Sequence, residues 1–399
     1  MTRPARVVGA VEVSLLAEPW DGTARDRQQV SEASIRRTGC GARLVGSNGQ
    51  QGRKRAKWHP RISSECLGMA NTSLHLRVEI WLLALVCASA FLPAAAFAQA
   101  PPYLTQWGTF GSSDEQFNYP LGVAVGAGGR VYVADSRNDR IQVFTSGGAY
   151  VMQWGVNGLG SGQFSMPSGV ATDASGNVYV ADRGSSRIQK FTSTGVYLTQ
   201  WGSYGDAFEQ LVWPNAVSVD ATGNVYVTDT GLQRIKKFTS NGTYITQWGT
   251  SGRGDGQFDG PYGVAVGAND NVYVVDRFNN RIQRFTSDGV YLGQWGSVGT
   301  GNGQLSYPLN VAADASGHIY VTDQDNHRIQ VFSSTGTYLN QWGSRGSGDG
   351  QFEFPAGVAV DASGDVYVSE FHSHRIQKFG QVPTPTKTTS WGRLKALYR

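Results

Sequence analysis

The sequence predicts an all-β fold: a six-bladed β-propeller of four-stranded antiparallel blades, closed by an N-terminal strand. Two observations lead to this prediction, a repeat with a constant period of 47 residues and a pattern of short strands and turns inside each repeat. A fixed period in this range is typical of solenoids, propellers and repeat arrays. Four short strands in 47 residues favour a propeller blade.

Three residue types measure the period, and each recurs six times at the same spacing. The tryptophan of the QWG motif lies at Trp107, Trp154, Trp201, Trp248, Trp295 and Trp342. The arginine of the RIQ or RIK motif lies at Arg140, Arg187, Arg234, Arg281, Arg328 and Arg375. A proline precedes the first strand of each unit, at Pro120, Pro167, Pro214, Pro261, Pro308 and Pro355.

Each unit contains four apolar runs separated by turn residues. Residues 351–379 read QFEFPAGVAVDASGDVYVSEFHSHRIQKF, in which GVAV, VYV and RIQKF are rich in Val, Ile, Tyr and Phe. In complete units a glycine-containing turn and a YLxQWG segment follow. Such β-branched and aromatic runs between Gly, Asp, Asn and Ser predict four strands, a to d, in chain order.

The pattern GVAVDASGNVYVADxxxxRIQKF, read across the copies, resembles the NHL repeat. The resemblance covers Tyr103 to Gly380 in six in-phase copies. It implies a six-bladed β-propeller, in agreement with the number of copies. Similar propellers include lyases and metal-dependent hydrolases that use the axial mouth, and some NHL proteins bind RNA.

The first YLTQWG, at residues 103–108, stands where a repeat would end. After Phe379 no such segment follows in phase, so the sixth blade lacks its outer strand. We expect residues 103–108 to supply that strand and to remove the exposed strand edge. A rival segment near Trp391 is out of phase and follows Pro383 and Pro385, which cannot donate to a strand ladder.

Four regions are predicted along the chain. Residues 1–68 are a disordered or non-coding upstream extension, because Met69 begins a plausible signal peptide; a peptide from residues 1–60 in native protein would exclude that start. Residues 69–98 are the signal peptide, with cleavage after Ala98, and predict a secreted or extracytoplasmic protein without stable membrane insertion. Residues 99–381 form the propeller. Residues 382–399 form a Pro/Thr linker and a short basic tail, either an export or envelope docking element or a disordered end.

Composition limits the function. The three cysteines, Cys40, Cys66 and Cys87, precede the cleavage site, so the mature chain has no disulfide and no cysteine nucleophile. Residues 100–380 contain 17 Lys or Arg against 23 Asp or Glu, a net charge of −6. Because phosphate binding needs a concentrated positive surface, this balance opposes nucleic acid. No cofactor is predicted.

Positions that vary between blades, next to the proline that opens strand a, are the candidate ligand-binding residues. They belong to the longer b–c and d–a loops, which share one face of a propeller, and function usually resides in such loops. A mouth lined by Tyr, Trp and Asn could hold a peptide or a sugar, although drift on an exposed loop would give the same variation. The candidates are Tyr119, Ser168, Trp213, Asn215, Tyr262, Tyr307, Asn310 and Phe354.

A repeated acidic residue precedes each RI arginine by five positions. Sixfold repetition favours a structural role, with one Asp–Arg pair per blade holding the b–c loop, over a charged rim for ligands. The acidic residues are Asp135, Asp182, Asp229, Asp276, Asp323 and Glu370, opposite the six arginines given above. His327, His372 and His374 give a weak alternative, a metal site, but the first and last occupy a slot that is merely polar in other blades.

The function predicted from these observations is a binding and scaffolding module for a protein, peptide or glycan. The alternative is a propeller lyase or metal-dependent hydrolase with its site at the axial mouth. The sequence contains no nucleophile elbow and no HExxH motif.

Overall fold

The computed structural model describes residues 100–380. These residues form six four-stranded antiparallel sheets, which confirms the predicted six-bladed propeller. Within them, no helix is long and apolar enough to cross a bilayer. The predicted upstream extension (1–68), signal peptide (69–98) and tail (382–399) lie outside the described residues.

The strands recur with the sequence period. The strands a are Pro120–Val125, Pro167–Thr172, Pro214–Val219, Pro261–Val266, Pro308–Ala313 and Pro355–Val360. The strands b are Val131–Asp135, Val178–Asp182, Val225–Asp229, Val272–Asp276, Ile319–Asp323 and Val366–Glu370. The strands c are Arg140–Phe144, Arg187–Phe191, Arg234–Phe238, Arg281–Phe285, Arg328–Phe332 and Arg375–Phe379. The strands d are Tyr150–Trp154, Tyr197–Trp201, Tyr244–Trp248, Tyr291–Trp295, Tyr338–Trp342 and, for blade 6, Tyr103–Trp107, here named the closing strand.

Within residues 100–380, short elements occur only in the loops of the b–c and d–a face. Two 3-10 turns, Ser136–Asn138 and Thr230–Leu232, lie in the b–c loops of blades 1 and 3. Two-residue parallel pairs join Thr109–Phe110 to Gln116–Phe117 and Thr250–Ser251 to Gln257–Phe258 in d–a loops. The opposite face carries the tight a–b and c–d turns.

The core lies between the blades. Strands b are buried along their whole length because a neighbouring blade covers each side, whereas strands d are mostly only partly buried, and that of blade 1 alternates between partly buried and exposed residues. Each QWG tryptophan packs on the next blade; the ring centroids of Trp154 and Phe191 are 5.7 Å apart. A Cβ at Gly195, in the turn beneath that indole, would lie 2.8 Å from it, and φ there is +78°, so this turn requires glycine.

The closing strand completes blade 6 as the sequence predicts. It pairs antiparallel with strand c of that blade, from Tyr103 opposite Phe379 to Trp107 opposite Ile376. The N–H of Gly380 donates to the carbonyl of Pro102 at 3.1 Å. The ring of Trp107 packs on Phe144 of blade 1 at 5.7 Å. The closing strand therefore contacts the last blade and the first; the rival segment near Trp391 lies outside the described residues.

The six strands a surround a narrow axial channel. The third residue of strand a is Gly or Ala in five of the six blades, which lets neighbouring strands approach; a Cβ at Gly122 would lie 2.6 Å from the carbonyl oxygen of Ser168. The channel encloses about 230 Å³ and narrows to a cavity of about 20 Å³ at the b–c and d–a face. This mouth holds one water-sized group at most.

Candidate functional site

Every b–c loop is held by a buried ion pair between the last residue of strand b and the first residue of strand c. The Arg Nε to carboxylate oxygen distances are 2.5–2.8 Å, and each carboxylate is fully buried. In blade 1 the second oxygen of Asp135 accepts the N–H of Asn118 at 2.7 Å. Burial raises the pKa of Asp135, while the N–H of Asn118 and the Arg140 guanidinium oppose that rise.

The same arginine fixes the incoming d–a loop. In blade 2, Nη1 of Arg187 donates to the carbonyl of Leu159 at 2.7 Å, and Nη2 donates to those of Gly160 and Gln163 at 2.9 and 2.8 Å. Nε2 of Gln189, two residues along strand c, donates to the carbonyl of Gln163 at 2.6 Å. The loops of the candidate face are therefore held rigidly by buried polar side chains.

Blade 3 departs from this arrangement at Lys236, which replaces the glutamine of the other blades. Its Nζ is buried and donates to the carbonyls of Ala207, Phe208 and Gln210. Burial lowers the pKa of Lys236 to about 8. In the other blades the glutamine amide donates to a carbonyl of the d–a loop, and in blade 3 the ammonium of Lys236 donates to three such carbonyls. We therefore assign this lysine a structural role.

The residue before each strand a proline adopts left-handed backbone, which sequence reasoning did not predict. The φ values are between +47° and +69° in the six blades. At this position the backbone N–H of Tyr119 donates to Nδ1 of His374 at 3.1 Å, across the junction between blades 1 and 6. The side chain consequently lies at the junction between blades rather than over the axis.

The predicted ligand-binding residues therefore divide into two groups. Those after the proline line the mouth cavity: Ser168, Asn215, Tyr262 and Asn310. Those before the proline do not line it, contrary to the single mouth that the sequence suggests: Tyr119, Trp213, Tyr307 and Phe354. Of the second group, the side chains of Trp213 and Tyr307 are 54% and 43% exposed.

An aromatic surface runs along the junctions of blades 5, 6 and 1. The ring centroids of Tyr119 and Phe371 are 4.4 Å apart, and those of Phe354 and His372 are 4.6 Å apart. Four further ring pairs of this surface are separated by 4.8–5.3 Å, and Tyr119 and His372 by 6.1 Å. We define the aromatic surface as Phe110, Tyr119, His327, Phe354, Phe371, His372 and His374.

Two of the three histidines of this surface serve as hydrogen-bond acceptors. Nδ1 of His327 accepts the backbone N–H of Phe354 at 3.3 Å, as Nδ1 of His374 does from Tyr119. Asp139 and Asn280 accept the equivalent bond in blades 1 and 4. The position just before the RI arginine therefore requires a hydrogen-bond acceptor, and histidine is one of several residues that supply it. Among residues 100–380, no three His, Cys, Asp or Glu are grouped so as to hold a metal ion.

We expect these two histidines to make stability depend on pH. Burial lowers the pKa of His327, with a further contribution from Arg345, and burial and His372 lower the pKa of His374. The folded protein then binds fewer protons than the unfolded chain, whose histidines have a pKa of about 6.5. The free energy of unfolding should therefore fall as pH drops below about 6.5.

A double variant, His327→Asn with His374→Asn, isolates this contribution, because Asn280 already accepts the bond at 2.8 Å in blade 4. Denaturant unfolding at pH 7.5 and 5.5 should show a smaller pH dependence in the variant than in the unmodified protein. An equal dependence in both would contradict the assignment.

A second feature of the candidate face is the guanidinium of Arg277, which lies among three aromatic rings and was not among the residues predicted from the sequence. Its Cζ lies 4.9 Å from the ring centroid of Tyr262, 5.7 Å from that of Phe278 and 5.9 Å from that of Tyr307. Nη2 donates to Oε1 of Gln324 at 2.8 Å. The residue at the first position of the b–c loop differs between blades, and this variation is the sequence signal that could have pointed to Arg277. The six residues are Ser136, Arg183, Thr230, Arg277, Gln324 and Phe371.

Solved structures with a similar fold include proteins of several activities. A protein of unknown function from Bacteroides thetaiotaomicron is 20% identical, with a TM-score of 0.55, and the match covers 69% of this chain and 76% of that one. A gluconolactonase from Xanthomonas campestris is 15% identical, with a TM-score of 0.50 and coverage of 71% and 96%. Virginiamycin B lyase from Staphylococcus aureus is 16% identical, with a TM-score of 0.48 and coverage of 66% and 80%. At these identities the likeness concerns the fold.

A family model described as the NHL repeat matches residues 117–144, 164–191, 258–285, 305–332 and 352–379. No curated protein matches the sequence. The matched segments run from the end of the d–a loop to the end of strand c, and they cover blades 1, 2, 4, 5 and 6. Blade 3, which contains Lys236, has the same strands in the same register. With six in-phase repeats folded as six blades, the chain belongs to the NHL-repeat proteins.

Proposed function

We propose that the chain is a binding module whose b–c and d–a face holds a peptide or glycan ligand against the aromatic surface. The observation that carries this proposal is the continuous run of ring contacts from Phe110 to His327. Aromatic side chains offer large contact areas at low entropic cost and dominate binding energies at interfaces.

The construction of the face also supports binding. The buried Asp–Arg pairs hold the loops in place, so little conformational entropy is lost when a ligand binds. Phe110 at one end is 65% exposed, and His372 near the centre is exposed. The lyase or hydrolase alternative has no observation of its own among the described residues, so binding is the function we propose.

Replacing one ring at the centre of the surface tests the proposal. A peptide and glycan array screened with the full chain identifies a ligand, and titration calorimetry then compares variants. We expect Tyr119→Ala and Phe371→Ala each to weaken binding about tenfold, as for an aromatic side chain worth more than about 1.4 kcal/mol.

Met166→Ala is the matched control. Met166 occupies the position of Tyr119 in the next blade, is 41% exposed and lies outside the aromatic surface. It should bind like the unmodified protein, and melting temperatures should confirm that all three variants are folded. Equal losses in all three, or an array without any ligand, would count against the proposal.

A further inference from the structure

Two arginines occupy the first position of a b–c loop in a domain that is acidic overall. Residues 100–380 have a net charge of −6, and six of their 17 basic residues are neutralised in the buried pairs. The first b–c loop positions include Arg183 and Arg277 but no acidic residue. The mouth cavity itself is lined by uncharged residues. Asp325 lies close enough to Arg277 for the guanidinium to oppose the rise that burial causes in the pKa of Asp325, although the two side chains form no ion pair.

Arg277 is the best positioned of these cations. The three rings around it hold the guanidinium in one orientation, and its only side-chain hydrogen bond among the described residues goes to Gln324. Its Nε is buried and has no hydrogen-bond partner, and Arg277 forms no ion pair within residues 100–380. The buried Nε is not accessible to a ligand, but Nη1 forms no hydrogen bond within residues 100–380, and a held guanidinium with such a donor is suited to a planar carboxylate.

Amide side chains line the mouth cavity and contact Arg277. Asn215 is 5% exposed, lines the mouth cavity, and its Oδ1 has no hydrogen-bond partner. Asn310 lines the cavity as well, and Gln324 is bonded to Arg277. Amides both donate and accept, which suits hydroxyl groups. The neck of about 20 Å³ is too small for a peptide to pair with the strands a, which disfavours recognition by strand addition.

We propose that Arg277 recognises the carboxylate of a uronic acid residue in an oligosaccharide, with the neighbouring rings and amides contacting the sugar. This inference rests on the proposed binding function and narrows its ligand class to acidic glycans. Arg277 binds through charge and shape, and no bond is made or broken.

Calorimetry with oligogalacturonate and with its methyl ester, both against the full chain, tests the inference. The two probes differ in the charge of the carboxyl group. We expect the acid to bind at least about tenfold more tightly, with an affinity that decreases as salt is raised. Arg277→Gln should remove this preference, and Arg277→Lys, which keeps the charge but loses the planar fork, should restore only part of it.

Arg253→Gln is the matched control, because it removes the same charge from an exposed loop on the same face. It should leave the preference intact, and an equal loss in both variants would overturn the inference in favour of a general charge effect. Equal binding of acid and ester would overturn it while leaving the binding function standing. Binding of acidic peptides alone, dependent on Arg277, would overturn the assignment to glycans. Failure of both sugars, with array ligands that still depend on Tyr119, would refute the inference but not the binding function.

Discussion

Trp107→Ala should lower the free energy of unfolding by about 3 kcal/mol, the lower end of the range for truncating a packed aromatic side chain. The indole contacts Phe144 of blade 1 at 5.7 Å and Tyr367 of blade 6 at 6.4 Å. The ring is closed inside blade 6, where the closing strand meets strand c through four register pairs and side-chain packing, with no turn joining the two strands. Removing the indole weakens the packing that holds the closing strand between blades 6 and 1.

Denaturant unfolding measures the loss, and hydrogen exchange locates it. In the variant, amides of Arg375–Phe379 should exchange faster, while those of blades 2 to 4 change less. Deleting residues 103–107 should go further and expose strand c of blade 6 as an unpaired edge, which promotes association between chains. Leu198→Ala is the control, since that side chain lies on a strand d but is 46% exposed. Unchanged stability and exchange in the Trp107 variant would show that closure does not depend on this contact.

Asp182→Ala should cost about 3–5 kcal/mol, because it leaves the Arg187 guanidinium buried without its carboxylate. The carboxylate also accepts the N–H of Ser165 at 2.7 Å and Nε2 of Gln189 at 3.2 Å, and both donors would lose a partner. Removing one member of a buried network leaves charged and polar groups unsatisfied, which costs more than the bond itself contributes.

Asp288→Ala provides the contrast, because Asp288 pairs with Lys237 at 3.3 Å but is 80% exposed. Because the carboxylate of this pair is exposed to solvent, we expect its removal to cost about 1 kcal/mol or less. Unfolding midpoints of the two variants should therefore differ clearly, and hydrogen exchange in residues 156–164 should rise only in the Asp182 variant. Similar midpoints would show that the buried pairs do not stabilise the loops.

The periodic features of the fold could be predicted because each is a local consequence of sequence. Pro120 and its five equivalents begin strand a, and the run from Val131 to Phe144 contains two strands in register. The surplus segment Tyr103–Gly108 predicted the closing strand by elimination, since blade 6 otherwise lacked a fourth strand.

The candidate site could be predicted only in part, because it depends on backbone torsions and on contacts between blades. The left-handed conformation of Tyr119 and Phe354 directs these rings to blade junctions, and no pattern in one repeat reveals that. The position of Arg277 over Tyr262 joins the start of strand a to a b–c loop, and its bond to Gln324 comes from the next blade. These contacts join residues that differ from blade to blade, so the repeat itself gives no information about them.

The hydrogen bond between Gly380 and Pro102 has a mechanical consequence. The chain joins and leaves the ring at one corner, on the side of the c–d turns and opposite the aromatic surface. Tension between the two flanking segments would pull on Tyr103 and Phe379, which are paired at the same end of an antiparallel ladder. Such a load unzips the ladder one bond at a time instead of shearing all of its bonds together, so under force the ring opens at this blade first, beginning at the end of the ladder that lies away from the aromatic surface.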